Sequence, residues 1–237
     1  MSIAAQCKEP TEQDTNALNK RLKWQIENLE TGLKYIPINL DMAKLYIFVD
    51  AAFANNQGLS SQLGCIFILA NEVDSAIDNP TESTPTTFKI RGNIIHWTSV
   101  KCQRVTRSIL AAELYALVHG IDLSIALGTT LQKITTQLST PNIPIIACTD
   151  SYSLYECIVK LGTTKEKRLM IDIMATRESY ERHEIEEVRW ILGNDNPADA
   201  LTKANGSKAL EQLIATNELA IHKQGWVNRA LKTTEED

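Results

Sequence analysis

Apolar residues fall along the chain in short continuous runs and longer periodic ones, and the two kinds predict different elements. LYIFVDAAF, over 45–53, is continuous and rich in β-branched and aromatic residues, which is the composition of a buried strand, and it runs through an aspartate near its end. The turn-like NNQGLSSQ separates it from a second such run, LGCIFILAN, so the two predict a hairpin or meander. KIRGNIIHWTS, over 89–99, predicts a third strand. Between the second and third lies NEVDSAIDNPTESTPTTF, at 71–88, whose Asn, Asp, Ser, Thr and Pro supply little core material and predict a mobile inserted loop.

The pattern then changes period. SILAAELYALVHGIDLSIAL, over 108–127, carries apolar residues at helical spacing for several turns. PIIACTD is a short strand ending at a second aspartate, and SYSLYECIVKL is helix-like. A further helix is expected at 165–182, a strand at EEVRWILG, and a helix opening in NPADALTKA. Three strands, a helix, a strand, helices, a strand and a helix suit an α/β fold in which three antiparallel strands are followed by parallel ones, with helices packed on the sheet. Upstream, NALNKRLKWQIENLETGLKY spaces Leu18, Leu22, Ile26, Leu29 and Leu33 by three or four residues and predicts an appended helix. The expected organisation is a connector at 1–40, one main domain at 41–205, and a helical tail at 206–237.

Composition narrows the class. With 43% apolar and 22% charged residues in 237, the chain has the material for one good-sized core, and no charge-free apolar run approaches the roughly 20 residues of a membrane span. No membrane partner and a cytosolic or nuclear location are expected. The cysteines Cys7, Cys65, Cys102, Cys148 and Cys157 are scattered, without a C-x-x-C pair, and read as reduced structural residues. Four histidines without zinc-site spacing leave carboxylates as the ligands of any metal.

The net charge of −5 argues at first sight against nucleic acid. Over 38–205, however, 15 Lys and Arg stand against 19 Asp and Glu, a difference of −4, which a site of four carboxylates would absorb entirely. Local basic clusters then carry the affinity. Lys101, Arg104 and Arg107 precede the long helix, and Lys165, Lys167 and Arg168 open a later one. Trp97 and Trp190 read as packing residues.

Four acids stand out by position. Asp50 and Asp150 lie at strand ends, Glu113 sits in the small, apolar stretch Leu110, Ala111, Ala112, Leu114, and Asp199 follows Asn196 and Pro197 near a helix start. Each alone has an ordinary explanation as a cap, turn or solvated residue. Glu113 is the most informative, because a charge on an apolar helix face costs several kcal/mol unless it is paired or binds a cation. Converging carboxylates suit hard cations such as Mg²⁺, and two such ions can activate water and stabilise a leaving oxygen at a phosphodiester.

The motifs carry a resemblance. WTSVKCQRVTRSILAAELYAL is similar to the ribonuclease H segment of copia-type retrotransposon polyproteins, in which a strand end leads through a basic stretch to a helix with Glu before Tyr; its register selects Glu113. YIFVDAAFA resembles the first-strand Asp-Ala-x-x-Ala motif and selects Asp50. CTDSYSLYE resembles Asp-Ser-x-Ser and selects Asp150, while NPADALTK resembles Ala-Asp-x-Leu-Thr-Lys and selects Asp199. The likeness spans 45–203. It implies a ribonuclease H-like fold with a five-stranded mixed sheet, two Mg²⁺ ions replaceable by Mn²⁺, and an RNA–DNA hybrid as substrate. It also implies Glu113 near the ribose 2′-hydroxyl, the polymerase domain of the same polyprotein as partner, and residence in a virus-like particle.

Some features depart from this pattern. Only GNDNPA separates Leu192 from Asp199, where many cellular relatives carry a histidine-bearing loop, so slower product release is expected. Asp195, in the same segment, reads as a turn or cap residue, and Asn194 and Asn196 resemble polar residues flanking the last acid in related enzymes. No Tyr-x-Asp-Asp signature is present, and LNKRLKWQ resembles the connector after a polymerase domain. The alternative function is a catalytically inactive fragment or interaction module of the same fold. An integrase-type enzyme fits less well, because there Glu comes last in the chain.

Overall fold

The computed structural model describes residues 11–56, 58–73, 86–160, 162, 164–203 and 206–225. The chain divides into two units, Met1–Lys34 and Tyr35–Asp237. In the first, helix α1 spans Glu12–Glu27 and opens on a capping box, in which the Thr11 side chain accepts from the Asp14 N–H and Asp14 answers the Thr11 N–H. α1 starts four residues before the periodic stretch and ends before Leu29 and Leu33. Leu18, Leu22 and Ile26 are exposed, so its apolar stripe does not bury within the unit.

The second unit is built on strand β1, Ala43–Ala52, which pairs antiparallel with β2, Gln62–Val73; β2 in turn pairs antiparallel with β3, Thr86–Lys101. On its other side β1 pairs parallel with β4, Ile145–Thr149, and β4 parallel with β5, Glu187–Ile191. The mixed sheet expected from the sequence, three antiparallel strands and then parallel ones, is therefore present, as the ribonuclease H-like arrangement requires. The strands extend to Val73 and resume at Thr86, so the ends of the expected loop are sheet, while 74–85 lies outside the described residues.

Helix α2, Ile109–Leu138, is longer than its strongest periodic stretch and is opened by Ser108, whose side chain accepts from the Ala111 N–H. By length and composition alone α2 could cross a membrane, but half of its apolar window is buried inside the fold. Leu114, Leu117 and Ile121 join Leu45, Ile47 and Val49 of β1 in the main core. The approach is close at Gly120, where an added Cβ would meet Val49 Cγ1 at 2.9 Å. Helices α3, Tyr152–Val159, and α4, Met170–Glu181, pack on the same core through Leu154, Ile158 and Ile173. Residues 167–169, expected in α4, form a separate 3-10 turn.

The C-terminal segment departs from the helical tail. Among its described residues, Lys208–Thr216 is helical, α6, and Glu218–Gly225 forms a sixth strand, β6. β6 pairs antiparallel with both β3 and β5, closing the sheet on itself. Its two apolar residues at alternate positions, Leu219 and Ile221, are buried. Too short a run for periodicity to register, it owes its place to two ready edges. The closure encloses a second buried set, including Tyr46, Phe48, Ile66 and Ile90. Among them lies Arg189, ion-paired to Glu72 at 3.2 Å and Glu187 at 2.7 Å. Burial works against both charges, but the pairing outweighs it, holding Glu72 down at about 2 and Arg189 above its ordinary value.

Trp97 is a correction: it is 55% exposed rather than core. β6 pairs with β3 only along Thr86–Arg91, so the far part of β3, with Trp97 and Lys101, is left without that cover.

Of the cysteines, Cys65, Cys102, Cys148 and Cys157 are free and buried, and burial pushes the Cys65 and Cys148 thiols up to about 12. They are inert packing residues. Cys7 lies outside the described residues.

Candidate active site

Four segments distant in sequence meet at one end of the sheet. Asp50 sits on β1 opposite Gly64 of β2. Glu113 is in the first turns of α2, and Asp150 follows directly on β4, one residue ahead of the Ser151 cap of α3. One oxygen from each of these three carboxylates lies within 4.8 Å of the other two. Helix α5, Asp199–Thr202, is a single turn that begins at Asp199, with Pro197 before its cap rather than inside its first turn. Asp199 is not a member of the tight triad, but its charge bears on both Asp50 and Asp150.

The local structure explains the convergence. An added Cβ at Gly64 would meet Thr202 Cγ2 at 2.8 Å and Leu201 Cβ at 2.9 Å, so the bare backbone of β2 lets α5 lie directly on the sheet. From there the Thr202 hydroxyl donates to Asp50 Oδ2. Asn196, fully buried, donates from Nδ2 to the Val49 carbonyl at 2.9 Å and accepts from the Ala198 N–H at 3.1 Å, and its amide favours the ionised form of Asp150. Trp190 Nε1 donates to the Asp150 carbonyl at 3.2 Å. Sequence reasoning passed over Thr202 and Lys203, although both stand in the ALTK motif, and left Asn196 without a role.

The electrostatics are those of crowded, dehydrated acids. Glu113 and Asp50 are 6% and 3% exposed. Burial, then the charges of Asp50 and Asp150, push Glu113 up to about 9, against an Ala51 N–H that favours its ionised form. Burial pushes Asp50 up to about 6 in spite of the Thr202 hydrogen bond, with Asp199 and Asp150 adding repulsion. Asp150 is raised by burial and by Asp199. Glu113 Oε2 and Asp199 Oδ1 are buried without a hydrogen-bond partner. Orphaned hard oxygens among mutually repelling carboxylates fit a divalent cation.

Asp195 is engaged elsewhere: its Oδ2 accepts from the His222 N–H and lies 2.8 Å from His222 Nδ1, tying the turn to β6. This is the turn or cap role expected of it. The two basic clusters adjoin one another. Arg104 pairs with Asp172 of α4 at 2.8 Å, and Ser108 donates to Glu166, so the approach to α2 and the approach to α4 are tied together. Lys101, Arg107, Lys165, Lys167 and Arg168 are exposed along this surface, with Arg168 3.9 Å from Glu166. Trp190 packs as expected, its ring 4.6 Å from that of Tyr152 and 6.2 Å from that of Tyr155.

No family model matches the chain, and no curated protein matches it. Among solved structures it is similar to the N-terminal RNase H domain of a Mycobacterium tuberculosis protein, at 16% identity over 72% of this chain and 98% of that one, with a TM-score of 0.45. It is similar to LC11-RNase H1 from compost in complex with an RNA/DNA hybrid, at 16% identity over 70% and 99%, with a TM-score of 0.45. It is also similar to the foamy viral protease-reverse transcriptase in complex with dsDNA, at 17% identity over 73% and 98%, with a TM-score of 0.40.

Proposed function

We propose that this chain is a ribonuclease H that hydrolyses the RNA strand of RNA–DNA hybrids, in the setting of copia-type retrotransposon reverse transcription. The observation that carries the reading is the convergence of Asp50, Glu113 and Asp150, with oxygens within 4.8 Å, around an orphaned Glu113 oxygen. Asp50 would serve two Mg²⁺ or Mn²⁺ ions, with Glu113, Asp150 and Asp199 completing their ligands. Such ions supply a hydroxide equivalent at neutral pH and charge stabilisation for the leaving oxygen.

The chain's own part is positional. Thr202 fixes the Asp50 carboxylate, and Asn196 holds the Asp199 segment to the same strand. Glu113, on the helix beside them, is the residue the motif places near the 2′-hydroxyl that distinguishes RNA from DNA. Lys101, Arg107, Lys165, Lys167 and Arg168 offer the exposed positive charge along which a duplex backbone would lie, with Arg104 held against Asp172. The polymerase domain of the same polyprotein is the partner this reading supplies.

Purified chain incubated with an end-labelled hybrid and either Mg²⁺ or Mn²⁺ should cut the RNA strand, and chelation or Asp50→Asn should abolish cutting. An intact hybrid under both metals, with folded protein, sinks the proposal.

A further inference from the structure

Lys203 stands outside every role assigned above. Four residues after Asp199, it places Nζ 2.7 Å from Asp199 Oδ2, while Asp199 Oδ1 is buried without a partner. Its charge also bears on Asp50, Glu113 and Asp150, so one ammonium is coupled to all four acids. The site therefore has two unequal halves. The triad of Asp50, Glu113 and Asp150 faces a cation with carboxylates only, whereas the Asp199 arm is already capped by a positive charge. An ion that binds the open Oδ1 of Asp199 shares the carboxylate with that ammonium and is repelled by it. The Lys203 side chain is 54% exposed and its pair is of the i,i+4 type, which is weak in solvent, so it is free to swing out.

We infer that Lys203 is a resident counter-ion of the Asp199 arm that makes cation loading sequential, the triad filling first and the Asp199 arm second, against the charge of Lys203. This rests on the two-ion reading above and gives Lys203 a positioning role.

Calorimetric titration of Mn²⁺ into the full chain, without nucleic acid, tests it. The wild type should bind a first ion, followed by a much weaker second or none within the titrated range. Lys203→Met should strengthen or reveal the second event by about three- to fivefold, the scale of an exposed ion pair, with the first changed by less than about twofold. Lys203→Arg should behave as the wild type, and Asp199→Asn should lose the second event in the Lys203→Met background. A second event that is unchanged, weakened or still absent in folded Lys203→Met, beside a first that Asp50→Asn removes, overturns the role of Lys203 and leaves the metal site standing. No binding to the wild type at all overturns both.

Discussion

Asn196 donates to the carbonyl of Val49, 147 residues away and immediately before Asp50, at 2.9 Å. The last acid-bearing segment is thereby fastened to the strand that carries the first acid, and the same side chain favours the ionised form of Asp150. Replacing Asn196 with Ala strips a buried carbonyl of its donor, a loss of about 1–3 kcal/mol. Asn196→Ala should lower the thermal midpoint and reduce cleavage at saturating Mg²⁺. A variant with full activity and an unshifted midpoint would show that the tie is incidental.

Asp195 and Asp199 sit four residues apart with different partners, His222 for one and Lys203 for the other. Asp199→Asn should abolish turnover or raise the Mg²⁺ requirement at near-normal stability. Asp195→Asn should cut normally but melt earlier, because it loosens the turn from β6. Cleavage measured against Mg²⁺ concentration, beside melting curves, separates the two, and the reverse pattern would move the fourth ligand to Asp195.

The basic surface makes a quantitative claim. Taking one cationic side chain away from a phosphate should lower the slope of log affinity against log salt by about 0.7–0.9. Arg104 is committed to Asp172 and lies over the Tyr115 ring. Replacing Lys101, Arg104 and Arg107 together with Ala should therefore flatten the slope by about two such steps rather than three. Arg104→Ala alone should leave the slope nearly unchanged while loosening α4. An unaltered slope in the triple variant would return the cluster to plain solvated surface.

In metal-free protein the acid cluster works against the fold as pH rises. A carboxyl held above its unfolded pKa keeps its proton longer in the folded state, so its contribution is present at low pH and lost on the way up. That loss runs from 3.8 to about 6 for Asp50 and from 4.5 to about 9 for Glu113. Glu72 has the opposite sign: its contribution is complete above 4.5 and lost as pH falls toward 2. With chelator present, the thermal midpoint should peak at about pH 4 and fall by several degrees toward about pH 9. Glu113→Gln should flatten the upper limb, and saturating Mg²⁺ should do the same in the wild type. A flat chelated profile from pH 5 to 9, marked by roughly constant midpoints, would contradict the burial argument.

What the sequence disclosed followed from run length. β1 and β4 are continuous apolar runs beside an aspartate, so Asp50 and Asp150 could be placed on elements directly, and the helical period of α2 carried Glu113 with it. β6 offers only two alternating apolar residues and reads as tail, because its pairing depends on edges that exist only after β3 and β5 have formed. Trp97 misleads for a related reason: an aromatic in a strand is usually covered, and what covers β3 stops at Arg91. The contacts that hold the acids together, Thr202 on Asp50 and Asn196 on Val49, link residues about 150 apart, and no local pattern encodes them.

Gly64 gives the sharpest test of how α5 is delivered. It faces Asp50 across the β1–β2 ladder, and its missing side chain is the space in which Leu201 and Thr202 rest. Its backbone is ordinary strand, so Ala is tolerated conformationally and the conflict is steric alone. A Cβ there would lie 2.8 Å from Thr202 Cγ2, 2.9 Å from Leu201 Cβ and 3.1 Å from the Ala198 carbonyl oxygen. Two clashes and a tight backbone contact on one side, with Leu201 Cβ fixed to its own backbone, cannot all be relieved by a rotamer change, so α5 must lift from the sheet. Lifting it withdraws the Thr202 hydroxyl from Asp50 and carries Asp199 away from the triad. Gly64→Ala should therefore cost about 1–3 kcal/mol of stability, the range for overpacking a close approach. Its larger effect should fall on cleavage, with at least a tenfold loss corresponding to about 1.4 kcal/mol of lost transition-state stabilisation. Pairing it with Thr202→Ser, which deletes the Cγ2 methyl but keeps the hydroxyl for Asp50, should recover part of the activity. If Gly64→Ala cuts at the wild-type rate, or Thr202→Ser brings no recovery in a folded double variant, close seating of α5 is not what positions the fourth acid.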